Sequence, residues 1–511
     1  MGTRSRRASP VGARRAGVLL HVTSLPGGHG VGDLGAGAHR FAEFAAACGL
    51  GVWQILPLHP VDASGSPYSG LSAFAGNPLL IDLEELVARG LLARRDLRGA
   101  PDFRRGVADT RTAAAFKLPL IAKAARALLE GRGGALRDRF GAFGEGAGPA
   151  WLDDAALHAA LSAKLRGAPW WRWDAPLKFR RARAIRGARD ALAGQIDQYR
   201  AVQFLFDVQW RELAARCAQL GVRLLGDVPL YVGRGAVDVW ARPELFALDR
   251  ELKPAAVAGV PPDYFSTRGQ LWGNPVYRWR AHREERFRWW TARLARELEL
   301  ADWVRLDHFR GLAACYEVPA GARDARRGRW VRSPGLELLT AAVAALGGAP
   351  FVAEDLGVID GDVLALRDAF RLPGMAVLQF GFGDAAGAEH LPHNHRARQV
   401  VYTGTHDNDT LVGWWRAAGA DVRDHARRYL GARLGEREIA RRLVEATLGS
   451  VARLAVIPMQ DLLGLGSAAR MNTPGGPSGA SWWWRLDGHE LTARRADAIR
   501  ELVEASGRAP G

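Results

Sequence analysis

The sequence predicts a (β/α)8 barrel, in which eight parallel strands alternate with helices and close into a ring. Eight short runs of apolar and β-branched residues recur along the 511 residues, and Ala-, Leu- and Arg-rich stretches of helical character separate most of them. Alternation of strand and helix is typical of a parallel sheet, and eight such units close a barrel. The candidate strands are residues 17–22, 51–58, 222–228, 303–307, 351–356, 375–380, 399–404 and 454–459.

The spacing of these strands is uneven and indicates the domain organisation. Residues 59–221 separate the second and third strands, and their helical stretches and Gly-rich breaks predict a mostly helical insertion subdomain at residues 84–220. We expect residues 1–16 to be a basic tail and residues 17–511 to form one barrel domain. Residues 460–511 are too few for a C-terminal β-sandwich domain.

Composition excludes several classes of protein. The chain is 48% hydrophobic and 24% charged, with 18 Trp and 18 Phe, which is not the composition of a disordered, collagenous or coiled-coil chain. Its cysteines, Cys48, Cys217 and Cys315, are odd in number and scattered, so neither a disulfide framework nor a cysteine-ligated zinc site is expected. A reducing, cytoplasmic location fits this usage best.

The charge balance leaves one alternative open. Lys and Arg number 70 against 54 Asp and Glu, a formal net charge of +16, and a basic polyanion-binding protein would have such a balance. Nearly all of these cations are arginine in an Ala- and Gly-rich chain, however, so we interpret them as solvated surface and expect no nucleic-acid partner. The longest apolar stretch, residues 338–353, is broken by Gly and Pro and is shorter than the roughly 18 residues that span a bilayer, so no membrane association is expected.

Carboxylates stand where the barrel interpretation places strand ends. They are Asp227 in GDVPLYV, Asp307 in VRLDHFRG, Glu354 in VAEDLG and Asp407 in GTHDNDT. Any one of them could simply cap the next helix, but four at equivalent positions indicate a converging cluster at the C-terminal face of the barrel. Such a cluster suits glycoside chemistry, because one carboxylate must be ionised while another stays protonated to donate to the leaving oxygen.

The neighbours of two of these acids predict different roles. Arg305 lies two residues before Asp307, which on a strand places both side chains on one face, and its charge should keep Asp307 ionised as the nucleophile. Glu354 follows an apolar run, and partial desolvation should raise its pKa as a general acid requires. His308 and His406 each adjoin an acid and either bond to the loop backbone or bind substrate hydroxyls.

The segments around these residues resemble the 4-alpha-glucanotransferases of glycoside hydrolase family 77 in the α-amylase clan, which include amylomaltase and disproportionating enzyme. The resemblance covers nearly the whole chain. Its most specific segments are SPYSGLSAFAGNP (66–78), VAGVPPDYFSTRGQLWGNP (257–275), VRLDHFRG (304–311), VAEDLG (352–357), HLPHN (390–394) and GTHDNDT (404–410).

The resemblance implies a role for each matching residue. Asp307 is implied as the nucleophile, Glu354 as the general acid/base, and Asp407 as the third carboxylate, which holds hydroxyls of the sugar in subsite −1. The resemblance also implies three groups of substrate-binding residues. Those of the inner shell are Asp227, Arg305, His308 and His406. Those on a loop that overhangs the site, or next to that loop, are Asp263, Tyr264, Phe265, Gln270 and Trp272, and those on the donor side are Tyr68 and Asp384.

The expected activity is a retaining transfer. A segment of an α-1,4-glucan or maltooligosaccharide donor passes to the 4-hydroxyl of another glucan or glucose, and no cofactor is needed. The alternative within the same clan is an α-glucan hydrolase, in which water captures the intermediate; the expected lack of a C-terminal β-domain favours transfer. A metal site at His390, His393 and His395 is conceivable but is not expected, because Glu389 is the single carboxylate in that loop.

Overall fold

The computed structural model describes residues 9–144, 150–262, 267–383, 385–431, 435–475 and 481–510. Within these residues, twelve strands form two sheets. The strands are β1 (Arg15–Leu19), β2 (Val52–Gln54), β3 (Arg223–Val228), β4 (Ala256–Val260), β5 (Gln270–Pro275), β6 (Trp303–Leu306), β7 (Ala314–Pro319), β8 (Arg329–Arg332), β9 (Phe351–Ala353), β10 (Gly374–Val377), β11 (Gln399–Tyr402) and β12 (Leu454–Pro458).

Eight of the strands form the predicted barrel. The sheet order is β10-β11-β12-β1-β2-β3-β6-β9, and every pairing is parallel. The backbone N–H of Ala353 in β9 donates to the carbonyl of Pro373, just before β10, at 2.9 Å. This contact joins the two ends of the sheet, so the strands follow one another around the ring in chain order. The predicted (β/α)8 fold is therefore confirmed, with each strand overlapping its predicted range.

The interior of the barrel is packed with side chains, as is usual for this fold. One buried cluster contains residues from all eight barrel strands, among them Leu19, Val352 and Tyr402. Val11 joins this cluster although it lies in the segment expected to be a tail. β1 also begins at Arg15, whose N–H donates to the carbonyl of Arg453 at 2.7 Å. The expected boundary after residue 16 is thus displaced, because residues before it pack against the barrel.

Helices surround the barrel and fill the segment between β2 and β3. They are α1 (Ala36–Ala47), α2 (Leu83–Ala88), α3 (Thr110–Leu129), α4 (Ala135–Gly144), α5 (Leu152–Lys164), α6 (Ala175–Lys178), α7 (Ala182–Ala191), α8 (Ala193–Gln219), α9 (Val237–Ala241), α10 (Trp279–Glu284), α11 (Arg288–Leu300), α12 (Arg310–Ala313), α13 (Gly335–Leu346), α14 (Gly361–Ala369), α15 (Leu411–Ala417), α16 (Ala420–Leu430), α17 (Glu436–Gly449), α18 (Met459–Leu462) and α19 (Ala493–Ala505).

Helix α8 belongs to both the insertion and the barrel. Its second half places Val208 and Leu213 in the same buried cluster as Trp53 of β2. The indole N–H of Trp210 donates to the carbonyl of Leu300, at the end of α11, at 2.9 Å. The helical segment expected at residues 84–220 therefore contributes its last helix to the wall of the barrel.

The second sheet is antiparallel, with the order β5-β4-β7-β8. It was not predicted, because three of its strands include exposed residues and β4 and β5 each contain a glycine. β4 and β5 follow barrel strand β3, whereas β7 and β8 follow β6. The sheet thus arises from the loops after two neighbouring barrel strands, and it carries Gln270 and Trp272 on β5.

The three cysteines are buried as free thiols. Burial raises the pKa of both Cys48 and Cys217 to about 12 and raises that of Cys315. No helix in the described ranges is long and apolar enough to cross a membrane.

Candidate active site

The strand register brings four of the predicted residues to one end of the barrel. Asp227 of β3 pairs with Arg305 of β6. Leu306 of β6 pairs with Ala353 of β9, so the next residues, Asp307 and Glu354, leave neighbouring strands at the same level. This convergence follows from parallel pairing, in which carboxyl ends of adjacent strands meet at the same edge.

Arg305 lies between two of the carboxylates. Its Nε donates to Asp227 Oδ2 at 3.2 Å, and its two terminal nitrogens donate to Asp307 Oδ1 at 2.6 and 3.0 Å. The Arg305 and Asp227 residues are 3% and 1% exposed, so these ionic contacts are shielded from water. Arg305 therefore fixes the position of Asp307 relative to Asp227.

The pKa of Asp307 shifts in the direction opposite to the one predicted. We expected the charge of Arg305 to lower its pKa, but burial raises the pKa of Asp307 overall, while Arg305 lowers it and the charge of Asp407 raises it. The physical reason is that desolvation at this site outweighs the attraction of the guanidinium. About a quarter of the side chain remains exposed, at 26%, so the carboxylate is accessible from solvent.

The pKa of Glu354 is also raised, so its carboxyl group holds its proton more tightly than a free glutamic acid does. Burial raises its pKa well above the usual value, and although Arg305 opposes this effect, the negative charge of Asp307 adds to it. The backbone N–H of His308 donates to Glu354 Oε2 at 2.7 Å, and that of Leu356 donates to Oε1 at 3.3 Å. Glu354 is thus a fixed carboxyl group that favours the protonated form, in the direction that the sequence predicted.

Tyr68 closes the other side of this ionic cluster. Its hydroxyl donates to Asp227 Oδ2 at 2.6 Å, and its ring stacks on that of His406 with centroids 5.0 Å apart and an interplanar angle of 12°. Burial raises the pKa of Asp227 to about 7, although both Arg305 and Tyr68 lower it. Tyr68 therefore connects the loop after β2 to the carboxylates of β3 and to the loop after β11.

Asp407 lies in the loop after β11 and is held from a distant part of the chain. The side-chain amide of Asn472 donates to its Oδ1 at 2.6 Å, and Arg470 donates to its carbonyl at 2.7 Å. His406 Nε2 lies 3.4 Å from the same Oδ1, and burial lowers the pKa of His406 to about 4, which keeps the imidazole neutral at pH 7. Sequence reasoning missed Asn472 and Arg470, because nothing in their local pattern indicates a contact with Asp407.

The antiparallel sheet places an aromatic face beside the carboxylates. The ring of Trp272 meets that of His308 edge to face at 4.8 Å, and its indole N–H donates to Gln270 Oε1 at 3.2 Å. Trp272 is 37% exposed, whereas burial lowers the pKa of His308 to about 4. Tyr231, whose ring centroid is 6.2 Å from that of Trp272, was not predicted, and it is buried beside the indole.

Four predicted substrate-binding residues, Asp263, Tyr264, Phe265 and Asp384, lie outside the described residues.

Each of the three histidines in the HLPHN segment and its neighbour has a ring nitrogen bonded within the protein. His390 Nδ1 accepts from the backbone N–H of Val377 at 3.3 Å. His395 Nδ1 lies 2.7 Å from Ser450 Oγ and its Nε2 lies 2.9 Å from the carbonyl of His390. His393 Nδ1 lies 2.8 Å from the hydroxyl of Tyr429. These contacts use ring nitrogens that a shared metal ion would need.

The fold and the site together define a class: a (β/α)8-barrel enzyme with carboxylates gathered at the C-terminal ends of its strands, an arrangement suited to chemistry on glycosidic bonds. Comparison with known proteins identifies the family. The sequence model of the family glycoside hydrolase 77, described as 4-alpha-glucanotransferase, matches residues 20–492 of this chain. The chain belongs to this family of transglycosylating enzymes.

Individual relatives agree with this assignment over most or all of their length. The 4-alpha-glucanotransferase of Thermus thermophilus is 47% identical, with 97% of this chain and 99% of the relative covered. The chloroplastic/amyloplastic 4-alpha-glucanotransferase of Solanum tuberosum is 43% identical, with 98% and 88% covered. Among solved structures, amylomaltase from Streptococcus agalactiae in complex with acarbose superimposes with a TM-score of 0.92 at 34% identity, covering 97% of this chain and all (100%) of that one.

Proposed function

We propose that Asp307 is the nucleophile of a retaining glucan transfer. The observation that carries this proposal is the position of Asp307: Arg305 holds one carboxylate oxygen, the side chain is accessible from solvent, and Glu354 leaves the next strand at the same level. Attack of an Asp307 oxygen on the anomeric carbon breaks the glycosidic bond and forms a glycosyl ester.

Glu354 is proposed as the general acid and then the general base. The carboxyl group first gives its proton to the leaving glucan oxygen, and the resulting carboxylate then takes the proton of the acceptor 4-hydroxyl, which attacks the ester and releases Asp307. The raised pKa of Glu354 supports this role, because the protonated form must be populated before cleavage. Its two backbone donors keep the group in one orientation.

The remaining site residues are proposed to bind the sugars. Asp407, oriented by Asn472, would accept hydrogen bonds from hydroxyls of the sugar that reacts, and Tyr68 would pack beside that sugar. The exposed indole of Trp272 offers an apolar face for a neighbouring glucose unit. The proposed donors and acceptors are α-1,4-glucans or maltooligosaccharides, in keeping with acarbose bound to the amylomaltase of Streptococcus agalactiae.

The products formed from maltotriose test this proposal. Transfer yields free glucose together with maltodextrins longer than maltotriose, whereas hydrolysis yields glucose and maltose alone. Asp307→Asn should lose nearly all turnover but keep its fold and its affinity for maltotriose, because the change removes the nucleophile and little volume. Asp302→Asn, on the same segment but outside the carboxylate cluster, is the matched control. A fully active Asp307→Asn protein would refute the assignment.

A further inference from the structure

Asp461 is a buried carboxyl group that the proposed chemistry does not use. It lies on α18, directly after barrel strand β12, and is 4% exposed. β12 is the neighbour of β11 in the barrel. Asp461 therefore stands beside the loop, residues 403–411, that carries His406 and Asp407.

Both ends of that loop are bonded to this single carboxyl group. The hydroxyl of Thr403, the first residue after β11, donates to Asp461 Oδ2 at 2.7 Å. The backbone N–H of Leu411, the first residue of α15, donates to Asp461 Oδ1 at 2.8 Å. Asp461 thus joins the start of the loop to its end, and it anchors both to the adjacent strand.

The middle of the loop has its own scaffold. Asn408 Oδ1 accepts from the backbone N–H of Thr405 at 2.9 Å and from its hydroxyl at 3.0 Å. The hydroxyl of Thr405 in turn accepts from the N–H of Asp407 at 3.3 Å. Outside groups also contact the interior, since Asn472 and Arg470 bond Asp407 and the side-chain amide of Gln379 donates to the carbonyl of Asp409 at 2.8 Å. The bonds to Asp461 are the contacts that fix the two ends of the loop.

We propose that Asp461 is a positioning residue for the transfer reaction, which sets the place of Asp407 relative to Asp307 and Glu354 by clamping both ends of the 403–411 loop. The inference rests on the proposed role of Asp407. It assigns a function to α18, which lies in the same segment after β12 that supplies Arg470 and Asn472 as partners of Asp407. A displacement of about 1 Å at a reacting centre can cost about 100-fold in rate.

The test compares variants that break the clamp with variants that keep it. Asp461→Ala removes both acceptors, and Thr403→Val removes the donor at one end with little change in volume. Asp461→Asn keeps the clamp, because its amide oxygen can accept from Leu411 while its NH2 donates to the hydroxyl of Thr403. Thr403→Ser keeps the hydroxyl. The clamp-breaking variants should lower kcat on maltotriose about 10- to 100-fold with a smaller change in KM, and the conservative variants should remain near the parent.

Asp82→Ala is the matched control for a loss of buried carboxylate. Asp82 is 8% exposed and accepts from the N–H of Glu85 at 2.6 Å to cap α2. Burial raises its pKa to about 7, as it does for Asp461. Asp82→Ala should destabilise the protein to a similar degree, but kcat of the folded fraction should stay at the parent value.

A double-mutant cycle with Asp407→Asn separates positioning from a general structural effect, with maltosyl fluoride as an activated donor. If Asp461 acts through Asp407, Asp461→Ala should change kcat no more than about 2-fold in the Asp407→Asn background. The proposal is overturned if the losses add, if folded Thr403→Val keeps the parent kcat, or if Asp82→Ala lowers kcat equally. Parent activity in Asp407→Asn alone would instead refute the proposed role of Asp407.

Discussion

Arg305 offers a sharp test of how charge organises this site. Its guanidinium makes three hydrogen bonds to Asp227 and Asp307 and is almost completely buried, so Arg305→Leu would leave the buried Asp227 and the partly exposed Asp307 without their cation. Breaking a buried ion pair in this way costs about 3 to 5 kcal/mol. If about 3 kcal/mol of that cost were lost from stabilisation of the transition state, the rate would fall roughly 100-fold, so we expect kcat/KM at neutral pH to fall by up to about that much.

The pH profile identifies the cause of that loss. The charge of Arg305 lowers the pKa of Asp307 against the effect of burial, so its removal should raise that pKa further. Because the nucleophile must be ionised, the acidic limb of the kcat/KM profile should then move to higher pH. Arg305→Lys, which keeps a positive charge but loses the planar fork, should move the limb less.

Arg296 supplies the control for this experiment. It is 4% exposed and donates to Asp207 at 2.6 Å, outside the carboxylate cluster. Arg296→Leu should lower the unfolding free energy to a similar degree without moving the acidic limb. An unmoved limb in folded Arg305→Leu protein, or an equal shift in Arg296→Leu, would refute the electrostatic argument.

Two further predictions concern acceptor binding and stability. Trp272→Ala should raise the KM for the acceptor sugar by about 2- to 10-fold and leave kcat nearly unchanged, since an aromatic contact is worth roughly 0.5 to 1.5 kcal/mol. An unaltered acceptor KM in initial-rate assays would show that the indole of Trp272 does not bind the acceptor. Asp82 has a pKa of about 7 in the folded protein against an ordinary 3.8, so the folded state binds more protons between these values and its stability from this group falls as pH rises. Urea unfolding at pH 5 and pH 8 should therefore show Asp82→Asn gaining stability relative to the parent at the higher pH, and an equal difference at both pH values would contradict this.

The barrel and its carboxylates could be predicted because each depends on local pattern. A buried strand needs a short apolar run, and a parallel ring brings the residues after those runs to one face, so Asp307 and Glu354 follow from their strands alone. The motifs that resemble the 4-alpha-glucanotransferases predicted the family, which the comparisons confirmed.

The contacts between distant segments could not be predicted from one sequence. Asn472 bonds Asp407, which lies 65 residues away in the sequence. The antiparallel sheet joins loops that follow two barrel strands, and three of its strands include exposed residues. The predicted direction of the pKa shift of Asp307 was wrong for a related reason. The positively charged neighbour is visible in the sequence, whereas the extent of desolvation depends on the packing of the whole barrel.

The burial of all three cysteines has a practical consequence for chemical labelling. A thiol reacts as its thiolate, and with a pKa of about 12 for Cys48 and Cys217 only about one thiol in 100,000 is ionised at pH 7. Cys315 is shielded in the same way. A single cysteine introduced at an exposed position such as Arg280, whose side chain is 88% accessible, would therefore be the one site at which a maleimide fluorophore couples rapidly, with no need to remove the native cysteines.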